Sequence, residues 1–354
     1  MKIIFGWILA AVVLLLVFAT LLPLFEAKQW WIRAIGFPRL QTALFSLAAA
    51  AALLLVYRRS RFARATAAVL VAAALYQFTQ IYPYTPLARE QSLPATRYAP
   101  QRSISVMICN VLMRNRNVEA FAAAVRSSNP DVILAVETDE WWAQQLRFLE
   151  TLYPYVEREP LANTYGMILM SRRRLSDVQV RHLVEDSIPS IRAGVELPSG
   201  ETIDLYCLHP RPPIPGSNSD QRDAELILVA REVRGRNRPA IVAGDLNDVA
   251  WSQTTELFQE ISGMLDPRIG RGMYNSYHAG YFLLRYPLDH VFHTNHFRLI
   301  GMRRLEAIGS DHFPIFIELS FEPENAGGQP RPSPEQEDLQ DARENVQEGT
   351  DGDR

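Results

Sequence analysis

Several apolar, strand-like runs in this chain end in polar side chains that a core strand does not need. ISVMICN ends at Asn110, DVILAVE at Glu137, DLYCLH at His209, and IVAGDLN at Asp245 and Asn247. PLDHVF carries Asp289 and His290, and GSDHFPI sets Asp311 and His312 at the mouth of the final apolar run. Each residue alone has an ordinary structural reading. Asn110 suits a turn, Glu137 and Asp139 suit the start of a helix, where acids complement the dipole, and Gly309, Ser310 and Asp311 are turn residues. Jointly they form a set of carboxylates, amides and imidazoles with no cysteine or serine nucleophile among them. Oxygen donors of this kind favour a hard cation, Mg²⁺ or Mn²⁺, over zinc. Strand ends on a rigid scaffold are also where binding and reacting side chains commonly project.

The elements that must hold these residues begin at Ser103. Strands are predicted for ISVMICNV, DVILAVE, YGMILMSR, ETIDLYCLH, RPAIVAGDLN, YPLDHVFHT and FPIFIEL. Helices are predicted for VEAFAAAVRSSNP, which stops at Asn129-Pro130, for WWAQQLRFLETL, and for an Arg- and Glu-rich segment from Asp220 to Arg234. This alternation over about 220 residues predicts one α/β domain with a large core. Residues 86–101 read as a polar, proline-containing linker. Residues 322–354 are acidic and poor in large apolar side chains, which predicts a disordered tail.

Three apolar runs precede the domain: Ile3 to Phe25, Leu40 to Tyr57 and Ala65 to Tyr82. Each approaches the ~20 residues that a helix needs to cross a bilayer. Trp30, Trp31, Tyr82 and Tyr84 flank them, as interfacial aromatics do. No clear small-residue cleavage site follows the first run, so it reads as an anchor rather than a signal peptide. The positive-inside rule assigns the loop with Arg58, Arg59, Arg61 and Arg64 to the cytoplasm. Residues 1–85 are therefore expected to form a multi-pass domain in the cell (inner) membrane, and everything after Tyr82 is expected to emerge on the extracytoplasmic side.

Net charge is -3 over 354 residues, which argues neither for nor against a nucleic-acid partner. Lysine occurs only at Lys2 and Lys28. The clusters Arg172–Arg174, Arg231–Arg238 and Arg268–Arg271 are therefore weak evidence for a phosphate-binding groove. Cys109 and Cys207 lie in apolar runs and read as buried thiols, and no CxxC or Cys/His zinc spacing is present.

From about Arg102 to Phe321 the chain resembles the endonuclease/exonuclease/phosphatase superfamily, the fold of DNase I-like nucleases. The motifs that carry the resemblance are ICNV, LAVE, YGMILMSR with Gly166, LHPRPP, AGDLND, PLDHVF and GSDHFPI, in that order. It implies a four-layer α/β sandwich over 102–321, here preceded by three transmembrane helices. It also implies Glu137 as the main metal ligand, with Asn110 and Asp311 close by, and Asp245 as the group that orients and deprotonates water. Asn247 would hold that water or a phosphate oxygen, His312 would pair with Asp289, and His209 would be a second donor to the phosphate.

Arg211 is a further substrate-binding candidate, or simply a surface residue between prolines. Tyr277, in MYNSYHAGYF, falls where family members place a substrate-facing loop; it stacks on a base, faces a lipid, or packs the sandwich edge. His182, His278, His293 and His296 have no place in the motif set, and His290 should point away from Asp289. The implied activity is that of a membrane-anchored, Mg²⁺- or Mn²⁺-dependent hydrolase. Its substrate would be a phosphodiester, phosphomonoester or pyrophosphate of nucleic acid or of a lipid-linked phosphate. The lipid bilayer is the expected partner, with no obligate protein partner. The alternative is a catalytically silent membrane scaffold that keeps the fold for binding, and the intact motif set argues against it.

Overall fold

The computed structural model describes residues 2–25, 28–215 and 218–351. The chain divides into two compact units, Met1–Ala88 with Pro213–Asn218, and Arg89–Pro212 with Ser219–Arg354. In the first unit the apolar runs form helices α1 (Lys2–Leu21), α3 (Arg39–Val56) and α4 (Arg61–Ile81), with a short α2 (Trp30–Ile35) between the first two. Gly6–Phe25, Arg39–Val56 and Arg61–Tyr84 are long and apolar enough to cross a membrane. Ala49, Ala50, Ala63 and Ala67 pack with Leu9, Leu16, Leu53 and Leu70, the small side chains letting helices approach closely. A buried polar relay adds to this: Arg39 Nη1 donates to Gln77 Oε1 (3.0 Å), and Gln77 Nε2 donates to Thr20 Oγ1 (3.2 Å).

The second unit is built from two mixed sheets. Its strands are β1 (Ser103–Asn110), β2 (Val132–Val136), β3 (Tyr155–Glu159), β4 (Met167–Ser171), β5 (Leu175–Arg181), β6 (Ser190–Glu196), β7 (Thr202–Leu208), β8 (Ala240–Asp245), β9 (Asp289–His293), β10 (Phe297–Arg304) and β11 (Ile315–Phe321). One sheet has the order β10-β11-β1-β2-β4-β3, the other β5-β6-β7-β8-β9. Ile104, Val106 and Ile108 of β1 and Val132, Leu134 and Val136 of β2 pack with Ile191, Leu205, Ile241 and Val291 of the facing sheet. The intervening residues point outward. Met107, Cys109 and Ile133 lie under α5 (Val118–Ser128) and α6 (Glu140–Gln145) with Phe121 and Trp142. Tyr206, Leu208 and Val242 lie under α7 (Asp220–Arg236) and α8 (Gln253–Ser262) with Leu226 and Phe258. Because both faces are covered, the central strands are almost continuously apolar. The result is a four-layer α/β sandwich.

The register brings the polar strand ends together. β1 and β2 run parallel with Asn110 beside Val136, and β7 and β8 run parallel with Leu208 beside Gly244. β9 returns antiparallel with Asp289 opposite Asp245, and β11 returns along β1 with Ile315 opposite Ile108. Gly244 is required here, since a Cβ at this position would sit 1.8 Å from the Leu208 carbonyl oxygen. Gly309 takes φ +90° where the chain turns before β11, a conformation that disfavours side chains.

Three expectations are corrected. The tail is not disordered throughout: Gln336–Asp351 forms α9, which packs on α7. Leu339, Ala342 and Val346 recur at helical spacing, with Ala342 buried in the cluster under α7, and a Cβ at Gly349 would meet Ala224 Cβ at 2.4 Å. Average composition conceals so narrow a stripe. The segment read as a linker is pinned to the sheet edge: Ala95 N donates to Leu299 O (2.8 Å), Leu299 N to Leu93 O (3.0 Å), and Thr96 N to Glu322 Oε1 (3.0 Å). The helix expected over WWAQQLRFLETL is α-helical only to Gln145 and continues as a 3-10 turn, Leu146–Leu149.

Gly244→Ala is expected to destabilise the α/β domain by about 1–3 kcal/mol through overpacking. Chemical denaturation of the detergent-solubilised chain measures this, and an unchanged midpoint would contradict the close approach of β7 and β8.

Candidate active site

Asn110 closes β1 and turns its side chain between the sheets. Its Nδ2 donates to Glu137 Oε1 at 2.8 Å and to Asp245 Oδ2 at 3.0 Å, while its Oδ1 accepts from Leu112 N at 2.9 Å. The Leu112 amide thus fixes which end of the Asn110 amide faces the carboxylates. Glu137 follows β2 with φ +60°, and Oε2 accepts from Met113 N at 3.3 Å. Left-handed backbone at a residue other than glycine is costly and concentrates at functional positions. Burial raises the Glu137 carboxyl above its ordinary range; the Asn110 hydrogen bond opposes this and the Asp245 charge adds to it.

Asp245 ends β8 and is buried. Burial raises its carboxyl as well, with His312 acting in the opposite sense. His312 Nδ1 lies 2.7 Å from Asp289 Oδ2, and its Nε2 lies 3.5 Å from Asp245 Oδ2. Burial alone would keep this imidazole neutral, but Asp245 and Asp289 outweigh it and raise the value to about 10. His312 is therefore an imidazolium at neutral pH. His209 Nε2 lies 3.8 Å from Asp245 Oδ2, and its Nδ1 is buried without a hydrogen bond. Burial lowers its pKa, despite the pull of Asp245, so His209 is neutral beside the charged His312.

The loop after β8 holds Asn247 at φ +52°. Its N donates to Asp245 Oδ1 (3.0 Å) and its Nδ2 to Pro210 O (2.9 Å). Its carbonyl accepts from Arg222 Nη1 (2.9 Å), and Arg222 is itself buried between Asp223 (2.8 Å) and Asp248 (2.9 Å). Ser276 Oγ accepts from Asp289 N (3.0 Å), and Ser310 Oγ accepts from His312 N (3.0 Å). Sequence reading missed Arg222, Asp223 and Ser276. Asp248 and Ser310 stand inside AGDLND and GSDHFPI, so those motifs held a signal for them. Arg222 carried none, because an Arg- and Glu-rich helix reads as a solvated face.

The structure brings Asn110, Glu137, His209, Asp245, Asn247, Asp289 and His312 together. Tyr277 joins them, with its ring 5.0 Å from that of His312. Burial raises its phenol, and Asp311, Asp245 and Glu137 raise it further, so these three carboxylates share its surroundings. Arg211, held open as a substrate-binding or a surface residue, has a protein partner. Its guanidinium grips Glu185, with Nε 2.9 Å from Oε1, rather than standing open for a substrate. His290 points away from the site as strand alternation requires, held by Arg268 Nη2 (2.8 Å) and the Asp248 carbonyl (2.8 Å).

Asp245, Asp289 and His312 offer ligand atoms within 4.8 Å of one another. Within this group His312 Nδ1 and Asp289 Oδ2 are already hydrogen-bonded to each other at 2.7 Å, so those two atoms are engaged with one another. The carboxylate side suits a metal better. Glu137 offers a carboxylate whose charge burial works against, and Asp311 acts on the same Tyr277 phenol that Glu137 does. Hard-oxygen chemistry of that kind fits a divalent cation of the Mg²⁺ class.

This sandwich and its ring of strand-end groups define a phosphoesterase-type hydrolase. A family model for the Endonuclease/Exonuclease/phosphatase family matches residues 107–312, and the chain belongs to that family. A search of curated proteins returns no sequence match. Among solved structures, the chain is similar to the endonuclease/exonuclease/phosphatase from Beutenbergia cavernae (17% identity, 62% of this chain and 72% of that chain, TM-score 0.50). It is also similar to D. rerio TDP2 complexed with a single strand DNA product (17%, 62% and 99%, TM-score 0.52). A third is the human Nocturnin catalytic domain with a bound sulfate anion (16%, 64% and 100%, TM-score 0.50). At these identities the likeness is one of fold.

Two outcomes follow. Asp289→Asn removes one of the charges that raise His312 to about 10. The imidazolium exists only below its pKa, so the alkaline limb of the kcat/KM profile is expected to move to lower pH by about one unit or more. An unshifted limb would separate His312 from catalysis. Arg222→Ala leaves Asp223 and Asp248 buried without their cation and is expected to cost about 3–5 kcal/mol in denaturant unfolding.

Proposed function

We propose that this chain is a membrane-anchored, Mg²⁺- or Mn²⁺-dependent phosphoesterase whose α/β domain works on the extracytoplasmic side of the cell membrane. The observation that carries the catalytic reading is the single Asn110 amide hydrogen-bonded to both Glu137 and Asp245, beside an imidazolium paired with Asp289. Glu137 and Asp311 are the oxygen donors assigned to the cation, and Asn110 positions Glu137 through its Nδ2. When bound, the cation polarises a phosphoryl oxygen and stabilises charge that develops there. Asp245 orients a water and takes its proton, and burial strengthens it as a base. His312 donates a hydrogen bond through Nε2 to a phosphoryl oxygen as negative charge grows on it. His209, kept neutral, offers a second N–H without adding repulsion to His312, and Asn247 steadies the water or a phosphate oxygen.

Membrane anchoring is supported by the three helices long and apolar enough to cross a bilayer, and its direction by the arginine-rich loop at Arg58–Arg64. The substrate class is a phosphodiester, phosphomonoester or pyrophosphate, in nucleic acid or in a lipid-linked phosphate.

Full-length chain in detergent, assayed with Mg²⁺ or Mn²⁺ on bis(4-nitrophenyl) phosphate, single-stranded DNA, RNA and a lipid pyrophosphate, tests the reading. Turnover is expected on at least one of them and should vanish with chelator. Glu137→Gln and Asp245→Asn should each lower it by about 10²-fold or more. Metal-independent turnover, or activity that survives in both variants, would reject the assignment.

A further inference from the structure

Between Tyr277 and Tyr286 the chain leaves the active-site rim as a hairpin. Tyr277 N donates to Tyr286 O (3.0 Å), His278 N to Leu284 O (3.0 Å), and Ala279 N to Asp311 O (2.7 Å). At its tip Tyr281, Phe282, Leu283 and Leu284 stand 63%, 76%, 64% and 50% exposed. This is the only run of consecutive, large, exposed apolar residues among the described residues of the α/β domain. Contiguous exposure of that kind marks a surface built to meet something apolar. Two cations flank it: the Arg285 guanidinium lies 5.2 Å from the Phe282 ring and 5.0 Å from the Phe313 ring, and that of Arg304 lies 4.2 Å from Phe313.

We infer that this tip seats in the bilayer interface, with Phe282, Leu283 and Leu284 among the acyl chains, Tyr281 at their boundary, and Arg285 and Arg304 at anionic headgroup phosphates. Apolar residues beside aromatics and arginines form the pattern of an interfacial anchor. The same chain carries three helices apolar enough to cross a bilayer. From Ile81, the end of α4, to Gln91, whose Oε1 accepts from Asp266 N (2.7 Å), the backbone reaches at most about 35 Å. If α4 spans the bilayer, so short a stretch of chain limits how far from it the hairpin can lie.

Nucleic acid fits less well. Leucines do not stack on bases, and each arginine cluster has members engaged in ion pairs. Arg173 is paired with Asp131 (2.6 Å), Arg236 with Asp204 (2.9 Å), Arg268 with Asp266 (2.6 Å) and Arg271 with Glu90 (2.9 Å). The hairpin is hydrogen-bonded to the turn that carries His312, so a seated tip presents the catalytic mouth to phosphoesters at headgroup level. The substrate is then an amphipathic phosphoester held in the membrane. That consequence for substrate rests on the phosphoesterase reading above, whereas the seating of the tip does not.

Cys109 and Cys207 are buried, so a thiol introduced by Phe282→Cys can be spin-labelled selectively. Full-length chain bearing the nitroxide is reconstituted in nanodiscs containing phosphatidylglycerol, with Leu152→Cys as an exposed control. The label at 282 should collide more with oxygen than with a water-soluble nickel chelate, and the control should show the reverse. A label at 282 as water-accessible as the control overturns the inference, as does shielding that arises only on adding single-stranded DNA.

A second arm uses Phe282→Asp combined with Leu283→Asp. Hydrolysis of a vesicle-borne lipid pyrophosphate should fall about tenfold or more while hydrolysis of bis(4-nitrophenyl) phosphate stays unchanged. Equal loss on both substrates, or on neither, overturns the substrate consequence. Absence of turnover in the parent chain rejects the phosphoesterase reading while the depth measurement still decides where the tip lies.

Discussion

The site depends on one NH₂ group. Asn110 lies at the end of a strand in one sheet, Glu137 follows the adjacent strand of that sheet, and Asp245 closes a strand of the other. Two carboxylates drawn to the same donor repel each other, and burial raises the proton affinity of both. They stay together because Asn110 donates to each and because His312 supplies a positive charge 3.5 Å from Asp245. That geometry exists only if the C-terminal ends of β1 and β8 meet across the sandwich. Ile108, Val136, Ile241 and Ala243 in the inter-sheet core set the meeting point, and a slip of one residue in either strand would turn the functional ends to the wrong face.

Holding an imidazolium in a buried place is costly unless it is paired and hydrogen-bonded. His312 meets that condition through Asp289, whose backbone N is in turn fixed by Ser276 Oγ. Asn247 depends on a second buried ion cluster, in which Arg222 offsets Asp223 and Asp248 and also donates to the Asn247 carbonyl. Left-handed backbone at Glu137 and Asn247 adds strain at the points where the side chains are aimed. The apolar layers on both faces of each sheet are what let the domain tolerate this concentration of charge and strain at one end.

The central strands were legible because they are buried on both faces, so each reads as an apolar run whose polar end stands out. Glu137, Asp245 and His312 were found in this way, and their order along the chain pointed to the family. β3, β5, β6 and β10 were not predicted as strands. LSDVQVR of β5 and SIRAGVE of β6 carry polar residues and a glycine that blur the alternation. α9 was hidden because three apolar positions on one helical stripe vanish in an acidic average. Arg222 and the Arg211–Glu185 pair depend on which residues meet across long sequence separations, and local patterns carry no trace of that. The same limit applied to the arginine clusters, where composition could not separate Arg268, buried against Asp266, from a cation open to a phosphate.

The active-site rim is continuous with the hairpin at Tyr277. Its ring lies 5.0 Å from that of His312, Tyr277 forms antiparallel bridges with both Tyr286 and His312, and Ala279 donates to the Asp311 carbonyl. A hairpin tied to the turn that aims His312 cannot change its depth in an apolar medium without carrying that turn with it. Exposed Phe and Leu side chains gain about 1.5–3 kcal/mol each on full burial, so the tip has a strong preference for one depth. On the inferred seating, the depth of the apolar tip would set where His312 and the carboxylates stand relative to headgroup phosphates, and the surface selecting the substrate would lie outside the motifs assigned to the chemistry.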